Sequence, residues 1–239
     1  TVIGQWVAMV ITLLAVMKKY SLRGTFKPEF CKQIYANGIG SIVTQSLYTI
    51  YIVGLNMILK IFTEDAVTVL GIYYKIQTFF FIPLLGFQQV LLPLFSYHYG
   101  AGDRHRNRNI LKCSMTFSAA IMAVATGIFF LFPEKLVQIF SMESTILAIG
   151  KYAFPVISIS FVFAGLTIVI TSYLQGIAHI KSSLFIIVLR QIVLLIPLAW
   201  VFHFMGLNAV WWTFPVTEII ASMTGILIIV ILHKQDSTL

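Results

Sequence analysis

Apolar residues gather into seven long runs separated by short polar stretches: 1–17, 39–62, 67–95, 110–132, 147–175, 183–204 and 207–232. A membrane-crossing helix needs about 20 predominantly apolar residues, so the last six runs predict complete transmembrane helices and the first a partial one. Polar positions inside the runs recur at helical spacing. In the second run Ser41, Thr44, Gln45, Tyr48 and Tyr51 fall three and four apart, with Asn56 further along the same face. In the third, Gln77 and Gln88 share a face with Phe81 and Leu84. In the fifth, Ser160, Ala164, Thr167 and Thr171 make a weaker stripe that leads to Gln175. Two readings fit such stripes: hydrogen bonding between packed helices, worth about 1 kcal/mol per contact, and the wall of an aqueous cavity.

Composition agrees with the pattern. Of 239 residues, 59% are hydrophobic and 10% charged, and the mean hydropathy is +0.94, which places the chain among integral membrane proteins. A net charge of +8 would point to nucleic acid in a soluble domain, but here the positive charge sits in loops rather than on one clustered face. Lys18, Lys19, Arg23, Lys27, Lys32, Arg104, Arg106, Arg108, Lys112, Lys181 and Lys234, which are 11 of the 16 basic residues, fall on one side if the runs alternate. The opposite loops, 63–66, 133–144 and 203–206, hold only Lys135. By the positive-inside rule the basic loops and the C-terminus are expected in the cytoplasm. Cys31 and Cys113 then lie beside cytoplasmic helix ends, where free thiols are expected. The chain starts inside an apolar run without a methionine, which reads as a piece of a longer polypeptide.

Three ionisable residues fall well inside runs: Lys75, Arg190 and Glu218. Each is costly against lipid and should face protein or water. Lys75 is placed for either snorkelling outwards or a substrate role. Arg190, with Pro197 one heptad later, is expected to be structural, and Glu218 is a partner for it on the adjacent helix or a group that changes protonation during transport. Ala221, Ser222 and Gly225 continue the Glu218 face with small residues suited to close packing. His98, His105, His179, His203 and His233 lie at or near loop ends without metal-ligand spacing, and the sequence holds no GxSxG, phosphate loop or HExxH, so no enzyme, metal or cofactor is expected.

The stretch YYKIQTFFFIPLLGFQQVLLPLFSYHYGAGDRHRNRN carries Pro83, Gly86, Gln88, Pro93 and the turn Gly100 to Gly102 in an order that resembles the eighth transmembrane helix and following loop of the multidrug and toxic compound extrusion (MATE) family. YLQGIAHIKSSLFIIVLRQIVLLIPLAWVF and VWWTFPVTE, with Gln175, Gly176, Arg190, Pro197, Trp211, Pro215 and Glu218, are similar to the end of that family's tenth through twelfth helices. The resemblance implies an all-α integral membrane protein, one six-helix lobe of a two-lobe transporter that works by alternating access. Residues 1–17 would end the N-terminal lobe, 18–38 form the cytoplasmic linker, 39–232 the C-terminal lobe and 233–239 the cytoplasmic tail.

The same resemblance implies a multidrug exporter of the inner membrane, an antiporter driven by a proton or sodium gradient. Runs two and five lack the Asp or Glu that some members use for the coupling cation, which is more similar to the DinF-like branch, with its coupling carboxylate in the N-terminal lobe. The substrate cavity is expected at Gln45, Tyr48, Tyr51, Lys75, Gln77 and Gln88, with Arg190 and Glu218 as intramembrane charges. The partners are then a small organic substrate, the N-terminal lobe and the bilayer, and no nucleic acid. Aromatic and amide groups suit amphipathic or cationic organic compounds. A flippase of a lipid-linked precursor in the same superfamily, and a non-transporting membrane scaffold, are the alternatives.

Overall fold

The computed structural model describes residues 2–19, 31 and 46–237, and the chain divides into two units, Thr1–Ser41 and Ile42–Leu239. The described part of the first unit is essentially one apolar helix, α1 (Val2–Lys19). In the second unit every described element is helical: α2 (Ser46–Lys60), α3 (Glu64–Gly100), α4 (Arg104–Leu131), α5 (Pro133–Gln138), α6 (Ser144–Ser158), α7 (Ser160–Gly176), α8 (Ile180–Val188), a π-helical turn (Leu189–Leu194), α9 (Leu195–His203), α10 (Leu207–Val210) and α11 (Thr213–Ser237). Four helical spans among the described residues are long and apolar enough to cross a membrane, and α6 with α7 makes a fifth if that bent pair is one span.

Helix ends follow capping chemistry rather than the limits of the apolar runs. α3 starts at Glu64, three residues before its run, because the Thr63 hydroxyl accepts a hydrogen bond from the Ala66 N–H and Glu64 and Asp65 favour the positive end of the helix. It continues past Phe95 to Gly100, with Pro83 and Pro93 inside it, and reaches about 55 Å at ~1.5 Å per residue. The turn after it closes when the Ala101 N–H bonds the Tyr97 carbonyl and Gly102 takes a φ of 74°. Asp103 then caps α4, its carboxylate accepting from the Arg106 N–H at 2.9 Å.

Two runs that read as single straight helices are interrupted. The fifth breaks at Ile159, where α6 and α7 meet at 42°. Pro155 precedes the break, and the Ser158 and Ser160 hydroxyls donate to the carbonyls of Pro155 and Ile157, while Thr126 of α4 donates to the Ser158 carbonyl. The sixth changes to π-helical winding over Leu189–Leu194, just before Pro197, whose missing N–H leaves the turn before it one hydrogen bond short. The segment 133–144, read as a loop, includes α5 with Pro133 at its first position.

The core is organised around α7, which packs against α3, α4 and α11. Small residues allow the close approach: a β-carbon at Gly165 would come 2.7 Å from Ser118 Oγ, one at Gly176 2.5 Å from the Phe95 β-carbon, and one at Gly225 2.8 Å from an Ile170 methyl. At one end of the bundle Tyr73, Phe129, Phe154 and Phe161 form a buried aromatic cluster, with Phe129 and Phe161 centroids 4.9 Å apart. At the other, Leu91, Phe95, Ile170, Tyr173 and Ile229 pack together. Outward side chains such as Phe79, Ile82, Val90, Val124 and Leu227 are apolar and exposed, as lipid-facing positions require.

Candidate substrate cavity and intramembrane ion pair

A polar patch interrupts this apolar bundle where α2, α3, α7, the π-helical turn and α11 converge. Arg190, on the π-helical turn, meets Glu218 of α11 through two contacts, Nε to Oε1 at 3.3 Å and Nη1 to Oε2 at 3.4 Å. Both side chains are mostly buried, at 25% and 13% relative exposure, so the pair is shielded from full solvent screening. Beside it lies a cavity of about 50 Å³, room for a water molecule or two. Tyr51, Tyr73, Tyr74, Gln77, Phe81, Ser160, Ala164, Gln191, Leu195 and Phe214 complete its wall.

Local structure explains who reaches the cavity. On α3, residues 73, 74, 77 and 81 fall three and four apart and face the same side, whereas Lys75 is turned away and exposed, its Nζ 5.7 Å from the centre of the Phe140 ring. On α2, Tyr51 points inward, its ring 6.4 Å from that of Tyr74, and Tyr48 lies edge-on to it at 5.2 Å with 41% of its surface exposed. Ser160 follows the α6–α7 break directly, so the kink delivers it and Ala164 to the cavity.

Of the residues expected at the site, the structure therefore gathers Tyr51, Gln77, Arg190 and Glu218 at one cavity and puts Tyr48 at its edge. Gln88, three turns further along the Gln77 face, is half-buried and outside the cavity. Gln45 lies outside the described residues. The stripe divides: Ser160 and Ala164 line the cavity, Thr167 and Thr171 hydrogen-bond the preceding turns of their own helix, and Gln175 donates to Ser183 of α8 at 3.0 Å. Tyr73, Tyr74 and Gln191 were not singled out by the sequence reading. Extending the Gln77 stripe back by one turn finds the two tyrosines, while Gln191 depends on the π-helical turn. Its side chain is 8% exposed and its Oε1 is buried without a hydrogen-bond partner. Among the described residues no group of His, Cys, Asp and Glu is arranged to hold a metal ion.

A family model described as MatE matches residues 40–201. This chain belongs to the MATE family. It is a family of multi-pass membrane transporters, not enzymes. Among curated proteins, the multidrug export protein MepA of Staphylococcus saprophyticus is 24% identical over 208 residues, which is 87% of this chain and 46% of the relative. MepA of Staphylococcus aureus is 21% identical over the same coverage. The chain thus spans about half the length of the curated MATE relatives it matches.

Solved MATE structures agree on the fold. An outward-facing multidrug resistance MATE transporter of the MOP superfamily superposes with a TM-score of 0.81 at 20% identity, covering 92% of this chain and 53% of the other. The MATE multidrug transporter DinF-BH gives 0.79 at 25% identity, covering 95% of this chain and 53% of that one. One lobe of the MATE fold accounts for the described bundle, and a DinF-type neighbour supports the DinF-like assignment.

Proposed function

We propose that this chain is the C-terminal lobe of a secondary active exporter of amphipathic or cationic organic compounds, an antiporter driven by a proton or sodium gradient through alternating access. The observation that carries the reading is the polar, aromatic-walled cavity set into an otherwise apolar bundle, in a MATE chain about half as long as multidrug export relatives. Tyrosines and an amide give a substrate broad apolar contact and a few hydrogen bonds, which suits structurally varied organic compounds. In the proposed transporter residues 18–38 link the lobes, 39–232 form this lobe and 233–239 a cytoplasmic tail, in the inner membrane with basic loops inside.

Tyr51 and Gln77 are the proposed contact residues of this lobe, with Tyr48 at the edge of the cavity; Gln45 and Gln88 are proposed as further contacts. The coupling cation is proposed to bind in the other lobe, because α2, α6 and α7 carry no carboxylate within their described spans. The test is export of ethidium from vesicles holding the complete transporter polypeptide, under an imposed proton gradient or an imposed sodium gradient. Export under one gradient and not the other supports the reading and names the ion. Absence of export under both, from folded protein, rejects it.

A further inference from the structure

The cavity beside Arg190 combines the Glu218 carboxylate, the rings of Tyr51, Tyr73, Tyr74 and Phe214, and the buried acceptor of Gln191. A carboxylate and aromatic rings lining one pocket suit an organic cation, which is attracted by both. Gln191 Oε1, buried and without a donor, adds a demand for N–H groups at that spot. The protein meets the carboxylate from within, because the planar Arg190 guanidinium is itself an organic cation with a fork of N–H donors. The guanidinium contacts Glu218 at 3.3 and 3.4 Å and so occupies the position a guest cation would take.

With Arg190 in place about 50 Å³ remains free beside Glu218, room for water. Arg190 is carried on the π-helical turn Leu189–Leu194. Rewinding such a turn to α-helix moves one flank by about one residue, roughly 100° around the axis, enough to carry the side chain away from Glu218.

We infer that Glu218 and its aromatic wall form a subsite for an N–H-bearing organic cation, a primary ammonium, amidinium or guanidinium group, and that Arg190 is its built-in competitor. The inference rests on the exporter reading for the source of that cation. Binding of the guest exchanges one cation for another on Glu218, so the carboxylate stays paired. A guest without N–H donors leaves Gln191 unpaired and binds less well.

The test is chemical replacement of Arg190. Thermal unfolding of the complete transporter polypeptide in lipid nanodiscs is followed for wild type, Arg190→Ala and Arg190→Ala/Glu218→Gln, with methylguanidinium or tetramethylammonium added at millimolar concentration. Arg190→Ala is expected to gain several degrees, saturably, with methylguanidinium and little with tetramethylammonium, while wild type and the double variant show no saturable gain. No gain for Arg190→Ala, or an equal gain in the double variant, overturns the inference. Failure of Arg190→Ala to fold even with methylguanidinium, when the double variant folds, overturns it as well.

Ethidium binding to the same wild-type sample, read by fluorescence anisotropy, separates this inference from the exporter reading. Ethidium binding without methylguanidinium replacement leaves the exporter reading standing and removes the subsite. Replacement without ethidium binding keeps the subsite and counts against the exporter.

Discussion

The Arg190 guanidinium and the Glu218 carboxylate face each other across the junction of the π-helical turn and α11, joined at two atoms of each group. Each makes the other tolerable at membrane depth. Removing one leaves an uncompensated buried charge, whereas removing both leaves a site that apolar side chains can fill. Arg190→Met alone is therefore expected to cost about 3–5 kcal/mol, and Arg190→Met/Glu218→Leu substantially less than the sum of the single changes. Equilibrium unfolding of the four variants in one cycle checks this.

Close packing of α7 gives a second expectation. At Gly165 a side chain would meet Ser118 and Met122 of α4, and at Gly225 one would meet Ile170 of α7. Gly165→Leu and Gly225→Leu should each destabilise the lobe by at least about 1–3 kcal/mol and lower folded yield. Gly86→Leu, where nothing lies within 4 Å, should leave the yield near wild type. Monodisperse yield by size-exclusion chromatography compares the three.

The turn between α3 and α4 depends on two residues with separate roles. Gly102 holds a φ of 74°, and the Asp103 carboxylate caps α4. Asp103→Ala should lose about 1 kcal/mol as a lost cap, and Asp103→Asn should recover most of it, since an amide oxygen still accepts from the Arg106 N–H. Gly102→Ala should also cost about 1 kcal/mol through its left-handed backbone. Thermal unfolding midpoints of these variants provide the check.

On α3, Lys75 and Gln77 are two residues apart and face different surroundings. Lys75→Met is expected to preserve both folding and ethidium affinity. Gln77→Leu, which lines the cavity, should preserve folded yield while shifting affinity for ethidium at least several-fold. Anisotropy titrations on both variants test the contrast.

Most of the architecture was legible because bilayer length and helical period act on long stretches: apolar runs from 67 to 232 correspond to α3, α4 and α6 through α11. The Arg190–Glu218 relationship was legible for a related reason, since two opposite charges on consecutive spans have few other partners. Capping and winding were harder to read. Thr63 and Asp103 set helix ends through single hydrogen bonds at polar positions that the apolar pattern ignores. Pro155 and Pro197 announce disturbances, but only packing decides that one becomes a 42° break and the other follows a π-helical turn. The cavity wall was half legible: Tyr51 and Gln77 stand out as polar positions in apolar runs, whereas Tyr73 and Phe214 resemble ordinary core aromatics until the helices meet.

The central claim is that this lobe contributes a wall of an organic-compound binding cavity, and compound selectivity tests it most directly. Gradient-driven efflux from vesicles would be compared between the wild-type transporter and Tyr51→Leu/Gln77→Leu for a panel of organic cations and neutral amphipathic dyes. The account predicts a changed order of preference among compounds, with the same amount of folded protein in the membrane. An unchanged order and unchanged rates for every compound would contradict it.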